Sequence, residues 1–251
     1  TAELLVTYFA CARAGLVCAP ANLGLRPGEI AWCLRDAKAR VLIVERALGP
    51  TANAVLAEDL PDAAHRYWIE SGPGDHFATL LAQGCDEPLE VLIPDRAPVQ
   101  LLYTSGTTAQ PKGVLTSHLA VTMAALSNAI GHQCTPGYIA LVQLPLFHCA
   151  MLNSILMPLM ATGGRVVLMP GFEAHAAARL LEHEAVNLVV MLPMMYGQLL
   201  DDPVLAPRRY PTMKRAMYAM APLGTDRLEA IHAMFPNADV VLGSGQTEFT
   251  P

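Results

Sequence analysis

The sequence predicts an α/β fold with mostly parallel sheets flanked by helices, and three observations carry that expectation. Hydrophobic residues make up 53% of the 251 residues and charged residues 15%, a balance that fits buried sheets and argues against disorder. Short β-rich runs alternate with helical patterns along the chain. Two of those runs, residues 139–144 and 186–192, close at Pro145 and Pro193, as strands do where they leave a parallel sheet.

Taken in order, residues 1–15 read as an amphipathic helix, with Leu4, Leu5, Tyr8, Phe9 and Ala12 on helical spacing and Gly15 as its stop. Residues 16–20 read as a short buried strand, and 27–37 as a helix with Pro27 and Glu29 suited to its first turn. A strand is expected at 39–45, short helices near 52–57 and 76–82, and a strand at 66–69. An apolar run at 99–103 ends in hydroxyls and a glycine, and a helix capped by Thr116 or Ser117 runs to Ile130. Strands follow at 139–144, 165–169, 186–192, 214–220 and 240–242. Helices are expected at 154–161, 172–184 and 225–235, with another entered at Met194.

Chemistry concentrates where the run at 99–103 stops. Gly106 has no Cβ, so backbone amides can approach an anion closely, while Thr104, Ser105, Thr107 and Thr108 offer hydroxyl donors. Lys112 adds a compact positive charge suited to a polyphosphate. Pro111 and Gly113 flank that lysine, which excludes the glycine-lysine-serine/threonine order of a Walker A loop. Taken alone, the stretch also reads as a surface turn rich in Ser, Thr and Gly.

The whole motif, Thr104-Ser105-Gly106-Thr107-Thr108-x-x-Pro111-Lys112-Gly113, resembles the signature loop of the adenylate-forming superfamily: acyl-CoA synthetases, nonribosomal-peptide adenylation domains and beetle luciferases. Ala109 departs from the family's usual glycine and restricts loop conformations with positive φ. Three further segments are similar to the family in the same order. Phe147-His148, followed by Leu152-Asn153, resembles its Phe-His segment, where acyl substrate and nucleotide meet. Tyr218 to Leu223 resembles Gly-Gly-Ala-Pro-Leu, with Met220 replacing a glycine where the acyl chain passes and Ala221 matching the alanine near adenine. Gly243-Ser244-Gly245-Gln246-Thr247-Glu248 resembles Tyr-Gly-x-Thr-Glu, with Ser244 where the adenine-stacking tyrosine is usual.

The resemblance implies two α/β subdomains, residues 1–135 with the phosphate-binding loop at 103–113, and 136–251 with the acyl and adenine segments. It implies ATP-dependent activation of a carboxylic acid to an acyl-adenylate, then thioester formation with coenzyme A, or alternatively transfer to a carrier protein. A third reading, a non-catalytic nucleotide- or acid-binding module, is prompted by Ala109, Met220 and Ser244. Carried over residue by residue, Lys112, His148, Thr247 and Glu248 are the expected catalytic residues. ATP would contact Thr104, Ser105, Gly106, Thr107, Thr108, Lys112, Ala221, Ser244, Gly245, Gln246 and Thr247, with Thr247 on the α-phosphate and Glu248 holding Mg²⁺. The acid would meet His148, Asn153, Met220 and Ala221. The family's mobile C-terminal domain would lie beyond Pro251, so these residues alone are expected to adenylate weakly or not at all.

Other partners are limited by composition. A net charge of −6 without a basic stripe argues against nucleic acid. The uncharged run from Ile139 to Gly164 is interrupted by Gln143, Pro145, His148, Asn153, Ser154 and Pro158, which disfavours a transmembrane helix. Six cysteines without Cys-x-x-Cys or zinc spacing are expected to stay reduced, in a cytoplasmic setting.

Overall fold

A computed structural model of the chain describes residues 1–58, 60, 65–70, 76–85, 87–104 and 110–250. Two compact units emerge, Ala2–His118 and Leu119 onward. The sequence placed the boundary one helix later, at 135/136, whereas nearly all of that helix groups with the second unit.

In the first unit, α1 (Ala2–Ala14) ends before Gly15, whose φ of +71° is a conformation that glycine reaches without a Cβ clash. The strand expected at 16–20 is reduced to a single bridge. Only Cys18 pairs, its N–H donating to Val99 O at 3.0 Å and its carbonyl accepting from Leu101 N at 2.9 Å. Pro20 supplies no N–H for the next rung, and Leu16 and Val17 stay exposed. Helix α2 (Pro27–Asp36) starts as predicted, with Pro27 in its first turn and the Glu29 carboxylate accepting from Arg26 N at 2.8 Å.

Strands β1 (Val41–Val44) and β2 (His65–Trp68) pair in parallel, and Leu42 packs with Ile30, Ala31, Val55 and Leu60. Short helices α3 (Gly49–Leu56) and α4 (Phe77–Ala82) match the two expected. Strands β3 (Pro98–Thr104) and β4 (Lys112–Ser117) form an antiparallel pair. The hydroxyl-rich stretch therefore joins two paired strands, a local exception to the mostly parallel pattern.

The second unit begins with α5 (His118–Gly131) and is built on one five-stranded parallel sheet. Its strands are β5 (Ile139–Val142), β6 (Arg165–Leu168), β7 (Leu188–Met191), β8 (Arg215–Ala219) and β9 (Asp239–Gly243). Their order is β6-β5-β7-β8-β9, so the chain steps outward from β5 to β6 and then crosses back to the other side of β5.

Helices α8 (Ala174–His183), α9 (Pro193–Leu200) and α10 (Thr225–Met234) supply Leu181, Tyr196 and Ile231 to a core shared with Leu141, Val189, Met191 and Ala216. All four β7 residues are buried, which explains its unbroken Leu-Val-Val-Met run. Pro193 ends the strand and opens α9, where its missing N–H costs no helical bond.

The helix expected from Ser154 starts five residues earlier. It comprises α6 (Cys149–Met151), a π-turn (Leu152–Leu156) and α7 (Met157–Thr162), closed by Gly163 at φ +73°. Among the described residues, no helix is long and apolar enough to cross a membrane.

Candidate active site

The β3–β4 pair carries the first candidates. Thr104 stands opposite Lys112 in register, and its hydroxyl donates to Lys112 O at 3.4 Å. Lys112 opens β4 with its side chain exposed, available to an anion. Ser105, Gly106, Thr107, Thr108 and Ala109 lie outside the described residues.

The root of this stretch is anchored by a residue whose role sequence reading missed. Tyr103 is buried, donates to Asp36 Oδ2 at 2.7 Å, and lies 3.1 Å from Cys33 O. Burial and then the Asp36 carboxylate push its phenol well above the ordinary range, so it stays a donor. Its ring meets Trp32 edge-on at 6.2 Å, tying β3 to α2. Gly113 faces that ring, and a Cβ there would come within 3.1 Å of Tyr103 Cε1 and 2.9 Å of Leu101 Cδ1. The glycine of the lysine-glycine pair thus serves close strand packing.

In the second unit, the candidates follow the carboxyl ends of parallel strands, and between β5 and β7 the order in which the chain adds strands switches sides. That is where ligands bind in open α/β sheets. His148 follows β5 and caps α6, its Nδ1 accepting from Ala150 N at 3.3 Å. A neutral ring with Nδ1 so engaged carries its proton on Nε2, and the side chain is exposed.

The next residue, Cys149, is buried with Sγ 3.3 Å from Thr247 Oγ1, linking the segment after β5 to the segment after β9. Thr247 is buried and opens a 3₁₀ turn (Thr247–Phe249), on which Glu248 is exposed beside it. Ser244, Gly245 and Gln246 form the exposed run leading into that turn. The fold thus brings the His148 segment together with Thr247 and Glu248.

Met220 and Ala221 follow β8, both exposed. Met220 has φ +76°, a left-handed backbone that costs a non-glycine residue about 1–2 kcal/mol. Its backbone is therefore the one glycine favours, while the side chain is 82% exposed and free to occupy adjoining space.

Asn153 sits in the π-turn, fully buried, and among the described residues neither of its amide atoms has a hydrogen-bond partner. Single π-turns within helices often mark functional positions. Gln143, which sequence reading passed over, is 3% exposed at the end of β5. Its Nε2 donates to Val190 O on β7, and among the described residues its Oε1 has no partner. A lone amide between Val142 and a Leu-Pro strand exit was the available signal. Phe249, 78% exposed on the 3₁₀ turn, is a third feature missed.

Glu248 suits Mg²⁺ in donor type: an exposed carboxylate is a hard oxygen ligand that this ion takes alongside phosphate oxygens and water.

The carboxyl edge of this parallel α/β sheet thus gathers a capping histidine, a buried threonine and an exposed glutamate, at the place where open α/β sheets bind ligands. The particular family follows from comparison with known proteins. The chain belongs to the AMP-binding enzyme family, whose model matches residues 1–251.

Among curated relatives, 4-coumarate–CoA ligase 1 of Oryza sativa subsp. japonica is 28% identical over 99% of this chain and 46% of that protein. Indoleacetate–CoA ligase of Aromatoleum aromaticum is 33% identical over 80% of this chain and 40% of its own length. The chain therefore spans about half the length of the relatives it matches. In structure, it resembles the inhibitor-bound N-terminal domain of FACL13 from Mycobacterium tuberculosis, with TM-score 0.89 and 25% identity over 99% of this chain and 61% of that one.

Proposed function

We propose that the protein activates a carboxylic acid with ATP, forming an acyl-adenylate and pyrophosphate, and then passes the acyl group to coenzyme A. The observation that carries this reading is the Cys149–Thr247 contact, which joins the His148 segment to the Thr247–Glu248 turn at the sheet's carboxyl edge. The membership of the chain in the AMP-binding family, and relatives named as CoA ligases for aryl acids, support it.

In this reaction the acid's carboxylate attacks the α-phosphorus and pyrophosphate leaves, so charge builds on phosphoryl oxygens. Catalysis is then mainly positioning and electrostatics. Lys112, exposed at the start of β4, is assigned to the departing pyrophosphate together with the hydroxyls of 104–108. Thr247 is assigned to the α-phosphate, and Glu248 would hold Mg²⁺, which when bound neutralises part of the phosphate charge. His148, an exposed side chain whose Nδ1 is engaged by Ala150 N, is assigned to the acid's carboxylate end.

Asn153 and Met220 are assigned to the acid's remaining body. An orphaned amide and an exposed thioether fit an acid that is largely apolar with one polar substituent, such as a hydroxylated aryl acid. The test is product analysis: full-length protein with ATP, Mg²⁺, coenzyme A and separate aryl and straight-chain acids. Acyl-CoA with stoichiometric AMP, best with an aryl acid, is expected. ADP as the nucleotide product, or no thioester from any acid, would contradict the proposal.

A further inference from the structure

We propose that Cys149 is a positioning residue for the Thr247 hydroxyl during acid activation, a role that rests on the reading of Thr247 as an α-phosphate contact. The two side chains approach to 3.3 Å, and the residues are 2% and 8% exposed, so water does not compete for the contact. Each partner is held from its own strand. Cys149 begins α6 directly after the capping His148, and Thr247 begins the 3₁₀ turn after β9.

The value of a thiol here follows from proton inventory. A threonine hydroxyl has one proton to donate and room to accept. If the Cys149 S–H donates to Thr247 Oγ1, the Thr247 proton remains available for a phosphate oxygen, and the hydroxyl rotor is fixed toward it. Burial holds the Cys149 thiol above its ordinary pKa, keeping it protonated and able to donate at neutral pH. An alanine would leave the rotor free, whereas a serine would restore a donor.

The experiment compares wild type, Cys149→Ala, Cys149→Ser, Thr247→Ala and the double Cys149→Ala/Thr247→Ala in the full-length protein. Acid-dependent ATP–pyrophosphate exchange is measured with ATP and acid varied separately. Loss of one hydrogen bond's orientation should lower kcat/KM for ATP by about threefold to tenfold in Cys149→Ala. The KM for the acid should stay unchanged, and Cys149→Ser should return to within about twofold of wild type.

In the double variant, Cys149→Ala should add nothing to the Thr247→Ala defect, since the residue acts through that hydroxyl. An effect of Cys149→Ala that persists undiminished without Thr247, or wild-type ATP kinetics in Cys149→Ala, would overturn the proposal. If Thr247→Ala itself leaves ATP kinetics intact, the α-phosphate reading is what fails, and the positioning role falls with it. Should Cys149→Ala fail to fold, Cys149→Ser and Cys149→Val give the same contrast between a donor and a non-donor.

Discussion

Replacing Asn153 by leucine should make the protein more stable and less able to use its acid. Leucine keeps the branched shape of asparagine and removes two polar atoms that are fully buried without partners among the described residues. An unsatisfied buried polar group costs about 1–3 kcal/mol, so the two together hold about 2–6 kcal/mol of recoverable stability. The extra volume of leucine returns about 1–3 kcal/mol of that through overpacking.

A net gain of about 2 kcal/mol corresponds to a rise of roughly 4–8 °C in the melting of a domain this size. The assay is paired: thermal melting of the full-length protein, and kcat/KM for its best acid. Higher melting with lower kcat/KM for the acid marks an amide kept for a ligand at the expense of stability. A fall in melting temperature of similar size would refute the reasoning, because it would mean the amide already has partners in the folded protein.

Three further outcomes are expected. Met220→Gly should be more stable than Met220→Ala by about 1 kcal/mol, since only glycine relieves a φ of +76°, and equal melting of the two would remove the claim of backbone strain. Tyr103→Phe should lower stability by about 1–2 kcal/mol through loss of its bonds to Asp36 and Cys33, read as a fall in the denaturation midpoint. Cys11 should alkylate with a midpoint below that of an ordinary thiol, because contact with the Cys18 thiol lowers its pKa. Its thiolate, and so its rate, grows as pH rises through that value. Cys33, raised by burial to about 11, should stay slow across the range, and a Cys11 midpoint above pH 9 would contradict the assignment.

Much of the architecture was legible because punctuation and periodicity agreed. Gly15 and Pro193 stand where a helix ends and a strand gives way to a helix, and the buried run Leu188–Met191 could only be an interior strand. What escaped depended on contacts distant in sequence. Residues 16–20 have strand-like composition, yet only Cys18 finds a partner before Pro20 removes a donor. The helix after His148 begins early because the histidine side chain itself supplies the cap, which a motif-based reading assigns to substrate instead.

The candidate site reads in the sequence as an ordered series of motifs, of which the fold brings the second and last into contact through Cys149 and Thr247. The supporting roles of Tyr103 and Gln143 were not legible, since their partners Asp36 and Val190 lie 67 and 47 residues away.

The account stands most directly on acid-dependent exchange of labelled pyrophosphate into ATP by the full-length protein. Exchange that requires both Mg²⁺ and a carboxylic acid, and that falls at least about a hundredfold in Lys112→Ala, is the predicted result. Exchange indifferent to added acid, or undiminished in Lys112→Ala, would contradict the assignment of this chain to carboxylate activation through its lysine loop.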